Sequence, residues 1–250
     1  MPDVRLLTLG DRGLLVQFGM GISLRDNLRV YRLATALEEA GLPGVEELVP
    51  AYASLLVLYN PLVVEGEALA RRLEEWIREA DLEEPGTRSL MATVAGGRLV
   101  EVPVAYGGDY GPDLEEVAAR CGLAPAEVVA IHTSRVYRVF CLGFTPGFAY
   151  LGLLDRRLAV PRREEPRPRV PAGSVGIAGR QTGVYPRESP GGWRLIGRSP
   201  WQFFRPEKDP PALLAPGDRV RFKAISQGEF ERLATTAGQP AARRAGSPWP

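Results

Sequence analysis

The sequence predicts an α+β protein in two unequal parts, a small region mixing strands and helices and a larger one dominated by short strands that close, or nearly close, into a barrel. Three observations predict it. The chain has 250 residues, close to the length at which one hydrophobic core stops growing and a second forms. Strand and helix signals alternate through residues 1–88. From residue 89 to 237 the signals become short apolar runs broken by Gly and Pro, the spacing of closed β architectures. Residues 238–250 hold Gly, Pro, Ala and Arg with little to bury, and are expected to form a disordered tail.

Leu14 to Phe18 reads as a buried strand after the turn Gly10-Asp11-Arg12-Gly13. Ser23 offers an N-cap with Asp26 three residues on, and Val30, Leu33, Ala34 and Leu37 recur at helical spacing until Gly41. Ser54 to Tyr59 is apolar at successive positions, as expected of a central strand covered from two sides. Leu69, Leu73, Trp76 and Ile77 form the stripe of an amphipathic helix from Glu67 to Ala80, and Glu84 to Ser89 reads as a linker or exposed loop.

The second part opens on a strand, Val100 to Val104, followed by a helix capped by Asp113 and closed at Gly122. Pro125 sits where a first-turn proline starts another helix, reaching Ile131 and His132. Beyond it Arg135–Phe144, Ser174–Ala178, Gln181–Tyr185, Trp193–Gly197 and Arg219–Ala224 read as strands, and Ser226 with Glu229 form a capping pattern ahead of a short terminal helix.

Composition excludes several chemistries. Lys and Arg number 31 against 30 Asp and Glu, so no basic field attracts nucleic acid or an anionic membrane. No apolar run reaches the roughly 20 residues that span a bilayer, and Met1 to Arg5 lacks the form of a signal peptide, so a cytoplasmic location is expected. Cys121 and Cys141 both lie in apolar patterns and read as buried thiols. His132 is the one histidine, too few for a usual zinc site, and no metal ligated by this chain is expected. No Gly-x-Ser-x-Gly elbow is present, and neither Lys208 nor Lys223 follows a glycine-rich phosphate loop.

Four constellations remain. Phe144, Phe148 and Tyr150 bracket a Thr-Pro-Gly turn, an aromatic surface on a connection that either packs locally or binds a ligand or partner. Arg162, Arg163, Arg167 and Arg169 share a proline-punctuated loop with Glu164 and Glu165; guanidinium forks suit carboxylate or phosphate, while for Arg162 and Arg163 a solvated loop is the expectation. His132, at the end of its helix, is either a cap and packing residue or, protonated by the helix dipole, a donor to an oxygen. Gly173, Gly176, Gly179 and Gly183 make either a phosphate cradle of backbone N–H groups or tight barrel turns, with Gln181, Thr182, Tyr185 and Trp193 at a pocket edge beside them.

Longer stretches carry a family resemblance. Val170–Gly179, Gln181–Pro186, Ser189–Trp193 and Ile196–Pro200, with Tyr106–Leu114, His132-Thr133, Leu142–Gly152 and Pro216–Asp218, resemble the signature of the PxpB/KipI family, whose members include the B component of 5-oxoprolinase; Gly10-Asp11 and Val49–Val57 also fit. The resemblance implies a small mixed α/β N-terminal domain and a cyclophilin-like β-barrel. It also implies a role as one non-autonomous subunit of a complex, together with a larger, KipA-like C component and a separate A component. That 5-oxoprolinase complex uses ATP to open 5-oxo-L-proline to L-glutamate. One branch, KipI, implies the alternative of a sensor-kinase inhibitor that binds the kinase dimerisation domain. Carried onto this chain, the resemblance implies His132, Arg138 and Gln181 as catalytic residues and Gly173, Gly176 and Gly179 as the cradle. Phe148, Tyr150, Ser174, Tyr185 and Trp193 would then line the substrate or the contact with a partner.

Overall fold

Residues 4–81 and 97–235 are described by a computed structural model, and they fall into two units. The expected boundary at residue 88 and the expected tail 238–250 lie outside the described residues.

The first unit holds an antiparallel sheet of β1 (Arg5–Leu9), β2 (Gly13–Gln17), β3 (Val45–Pro50) and β4 (Ser54–Tyr59) in the order β1-β2-β4-β3, with helices α1 (Leu24–Ala40) and α2 (Gly66–Asp81). The start and stop of α1 follow from local chemistry. Ser23 Oγ accepts the Asp26 N–H at 3.2 Å, and Gly41 ends the helix at φ 54°, a left-handed turn that a residue with a Cβ adopts at a cost. One face of the sheet, bearing Leu14, Val16, Leu55 and Val57, packs on Leu33, Leu37, Leu69 and Leu73 from both helices.

The expectation of a strand covered from two sides fails in β4. Leu55, Val57 and Tyr59 are buried while Leu56 and Leu58 are only half-buried, because both helices lie on one face. Strands β1 and β3, which the sequence does not announce, are edge strands whose mostly exposed residues leave little periodic signal.

In the second unit β5 (Leu99–Tyr106), β6 (Val136–Leu142), β7 (Ala149–Gly152), β9 (Ser174–Ala178), β10 (Gln181–Val184), β12 (Arg194–Arg198) and β13 (Arg219–Ala224) close a seven-stranded barrel in the order β10-β7-β6-β13-β5-β12-β9. All neighbours are antiparallel except β13 with β5. Strands β8 (Arg167–Val170) and β11 (Ser189–Gly191) pair separately as a two-stranded ribbon. Helices α3 (Leu114–Cys121) and α4 (Pro125–Thr133) supply Val117, Val128 and Ile131 to the barrel core, and α5 (Gln227–Thr235) follows β13. The barrel interior is filled by alternate residues such as Val102, Val104, Val139, Leu151, Val175, Ile177, Val184 and Phe222, so the other half of each strand is free to build something on the outside.

Candidate functional site

Strand alternation decides what that outside surface holds. Val175 and Ile177 point into the barrel core, which turns Ser174, Gly176 and Ala178 outward. Across the β9–β10 pair, Val184 and Thr182 go in while Gln181, Gly183 and Tyr185 go out. On β7, Ala149 and Leu151 go in, leaving Phe148 and Tyr150 outside. The result is a second, smaller apolar cluster of Phe148, Val170, Ala178, Tyr185, Trp193 and Leu195 with Tyr150 at its edge. Phe148 stands edge-on to Tyr150, Tyr185 and Trp193, with centroids 4.8, 5.3 and 5.5 Å away, within the range of favourable aromatic pairs.

Gly176 and Gly183 make this cluster possible. A Cβ on Gly176 would lie 3.0 Å from Trp193 Cβ, and one on Gly183 would lie 3.1 Å from the Phe148 ring and 3.2 Å from that of Trp193. The rings lie on backbone because no side chain holds them off.

The cradle reading of these glycines is therefore corrected. Gly176 lies inside the ladder between β10 and β12; Gly173 N–H donates to the Tyr185 carbonyl at 2.7 Å and Gly179 N–H to that of Val160 at 2.7 Å. Gly173 (φ 81°) and Gly179 (φ 55°) serve turns. Ser174, Phe148, Tyr185 and Trp193 are buried, so they form the packed floor of the surface; Tyr150 and Gln181 are half-buried at its rim.

Phe144 sits above this floor. It is 60% exposed, and its ring meets Phe148 and Tyr185 edge-on at 5.5 and 6.2 Å. Its φ of 64° is the one positive value at a non-glycine position among the described residues, and Thr145 N–H donates to the Gly143 carbonyl at 2.7 Å across it. A three-residue turn with a left-handed phenylalanine is a strained arrangement. The exposed Arg162 brings its charge to the neighbouring Tyr150 and Tyr185 hydroxyls.

Of the three residues expected to be catalytic, His132 is separated from the other two: Arg138 and Gln181 lie on the outer face of the barrel, on strands to either side of Gly152. His132 enters the barrel from α4 and is fully buried, stacked on Phe222 at 4.5 Å. Its Nδ1 lies 2.7 Å from Tyr106 Oη and its Nε2 3.0 Å from Thr182 Oγ1, whose hydroxyl donates to the Gly176 carbonyl at 3.0 Å. One proton assignment satisfies all three contacts. Thr182 spends its hydrogen on Gly176 and must accept from Nε2–H, which leaves Nδ1 to accept from Tyr106.

The imidazole is thus neutral, and burial lowers its pKa to about 3. The expectation of a protonated donor at a helix terminus is overturned, because loss of water outweighs the helix dipole. Gln181, next to Thr182 in sequence, faces the opposite side of the sheet. Arg138 is buried on β6, where Nη1 donates to the Gly217 carbonyl at 3.4 Å.

Asp113 is the residue whose importance sequence reasoning missed. It sits at the start of α3, but its side chain makes no capping bond. Instead the buried carboxylate takes both ends of the Arg167 fork at 2.8 and 2.7 Å, Arg163 Nη1 at 3.3 Å and the Leu195 N–H at 2.7 Å. Arg163 is consequently a tether, not the solvated residue expected. Beside it an open groove of about 380 Å³ runs between Glu116 and Arg120 on one side and Pro161–Glu165 and Arg194 on the other. Within it Glu116 pairs with Arg120 at 2.9 Å and Arg194 at 2.5 Å, and these contacts lower its pKa. The Tyr106–Leu114 motif and the start of a helix mark Asp113, but its partners come from segments far along the chain, so the sequence suggests a cap and not an arginine tether.

Among the described residues, no group of three or more His, Cys, Asp and Glu side chains could hold a metal ion, and no helix is long and apolar enough to cross a membrane.

Comparison with known proteins gives a consistent picture. Residues 4–214 match the family described as carboxyltransferase domain, subdomain C and D. The chain is 45% identical over 232 residues to the B component of 5-oxoprolinase from Bacillus subtilis (strain 168), covering 89% of this chain and 93% of that protein. It is 40% identical to the crystal structure of TTHA0988, with a TM-score of 0.71 over 93% of this chain. It spans about two fifths of that protein's length, the matched region being 42% of it. The K. lactis urea amidolyase structure shares the fold, with a TM-score of 0.77 at 22% identity over 93% of this chain and 15% of that one.

Proposed function

The chain belongs to the carboxyltransferase domain, subdomain C and D, family, and from that premise we propose that it works as the B component of an ATP-dependent 5-oxoprolinase, a complex converting 5-oxo-L-proline to L-glutamate. The observation that carries the reading is the 45% identity to a 5-oxoprolinase B component that extends over 93% of that protein. A match of that extent includes both units of the fold, so it is not a borrowed barrel on an unrelated protein.

The chemistry of the reaction favours a shared site. A five-membered lactam keeps its amide resonance, and its carbonyl carbon becomes electrophilic once a phosphoryl group is transferred to the oxygen. Such a transfer needs donors aimed at developing negative charge, out of bulk water. In this chain the Gly173, Gly176 and Gly179 region does not fit a nucleotide's phosphates, since its N–H groups bond to the protein's own carbonyls. The complex is completed by a KipA-like C component and an A component. What this chain adds is the aromatic surface topped by Phe144, with Tyr150 and Gln181 at its rim and the exposed Arg162 nearby. The neutral His132 holds the barrel behind that surface and takes no proton from substrate.

The test is co-expression with the candidate C and A components and measurement of glutamate released from 5-oxoproline and ATP. The expected result is turnover with all three and none with this chain alone. Absence of turnover in the full mixture, alongside inhibition of a sensor kinase by this chain, overturns the proposal.

A further inference from the structure

Phe144 is exposed on a strained turn, and neither fact is explained by packing among the described residues. Removing an aromatic ring from water is the usual reason for its burial, yet here 60% of the residue stays in solvent. A left-handed conformation costs an L-residue roughly 1–2 kcal/mol, and Gly143 and Gly147 flank it, so glycine is no stranger to this turn. The turn is held from below. Phe148 N–H donates to the Thr145 carbonyl at 3.0 Å, Gly143 N–H donates to the Phe148 carbonyl at 3.2 Å, and the edges of Phe148 and Tyr185 fix the ring's position. Phe144 is therefore a rigid aromatic post on a buried aromatic base, with few rotamers left to lose on association.

We propose that Phe144 is the anchor through which the barrel docks on the second polypeptide of its complex, entering an apolar pocket on that partner while a partner carboxylate meets Arg162. This rests on the 5-oxoprolinase reading above and adds to it the place of contact and its chemistry. The occupant is a different polypeptide and not a second copy of this chain for a reason supplied by the relatives. The same module makes up 42% of TTHA0988 but nearly the whole of the Bacillus protein, which it covers to 93%. A module joined to further chain in one relative and separate in another meets that further polypeptide by surface contact when the covalent link is missing. Anchors of such contacts are characteristically aromatic, central and already ordered, with charge at the rim. Phe144, edge-on to Phe148 and Tyr185, with the Arg162 charge acting on the Tyr150 and Tyr185 hydroxyls, has that arrangement.

The experiment compares binding of wild type, Phe144→Gly, Phe144→Asn and Arg162→Glu to the purified KipA-like component by calorimetry, with Leu62→Ser, an exposed leucine of the other unit, as control. Glycine and asparagine tolerate the left-handed turn, so both variants keep the wild-type melting temperature or exceed it. Expected are at least about 30-fold weaker binding for both Phe144 variants, a smaller loss that grows at low salt for Arg162→Glu, and no change for Leu62→Ser. Equal affinity of wild type and Phe144→Gly overturns the inference, as does a loss confined to self-association. Wild type that neither binds the KipA-like component nor supports glutamate release instead removes the functional reading itself, and the two failures are told apart by the wild-type arm.

Discussion

Mild acid is expected to loosen this protein through a single side chain. His132 is the one histidine in the chain, and burial holds its folded pKa at about 3 against an ordinary value of 6.5. A base whose folded pKa is depressed binds fewer protons in the folded state, so its contribution to stability is whole above pH 6.5 and declines as the pH falls toward 3. Between pH 7 and pH 5 the unfolded chain gains most of a proton at this site and the folded chain almost none. One pKa unit corresponds to about 1.4 kcal/mol, so the loss over that interval is on the order of 2 kcal/mol. Urea unfolding at both pH values measures it, with His132→Gln as the reference that carries the carboxylate contributions but no imidazole. The wild type should lose about 2 kcal/mol more than the variant. A parallel measurement is the imidazole Cε1–H resonance, which should hold its position from pH 8 to pH 5. A resonance titrating near pH 6.5, or equal acid losses in the two proteins, refutes both the buried neutral imidazole and the hydrogen-bond chain from Tyr106 to Gly176.

Asp113→Ala leaves two guanidinium groups and the Leu195 N–H without their acceptor; it should cost about 2–4 kcal/mol in denaturant unfolding, toward the lower end because both arginines keep contact with water. Trp193→Ala empties the aromatic base under Phe144 and should cost about 3–5 kcal/mol, with loss of near-ultraviolet circular dichroism. Gly173→Ala places a Cβ 2.2 Å from the Ser199 carbonyl at φ 81°; with strain and overpacking together, a loss of about 3 kcal/mol or more is expected, read as a lowered melting temperature. Burial pushes the Cys141 thiol up to about 12 and raises that of the half-buried Cys121 by less, so a disulfide reagent at pH 8 should titrate Cys121 slowly in the native protein and Cys141 only after unfolding.

Much of the fold was legible because its elements are local. Ser23 and Gly41 bound α1 by their own backbone chemistry, and Ser174–Ala178 and Arg219–Ala224 announce strands at the residues where they occur. The aromatic surface was partly legible as well, since Phe148, Tyr150, Tyr185 and Trp193 do assemble. Spacing misleads where facing is unknown. Regular glycines suggested a nest, but whether an N–H is free depends on the neighbouring strand. A histidine at a helix terminus suggested a charge, but that depends on how much water remains.

The helices, the core strands, the closed β architecture and the family are written along the chain, because capping, alternation and motif identity are properties of near neighbours; the short and edge strands β1, β3, β7, β8 and β11 are not. Other features exist only once the sheet has closed. His132 becomes a neutral strut inside the barrel, Asp113 ties down the arginine loop, Gly176 and Gly183 become beds for aromatic rings, and Phe144 is left standing outside. Each of these is settled by which face of a closed sheet a residue occupies and by what packs there from a distant segment, and no local stretch of chain encodes that.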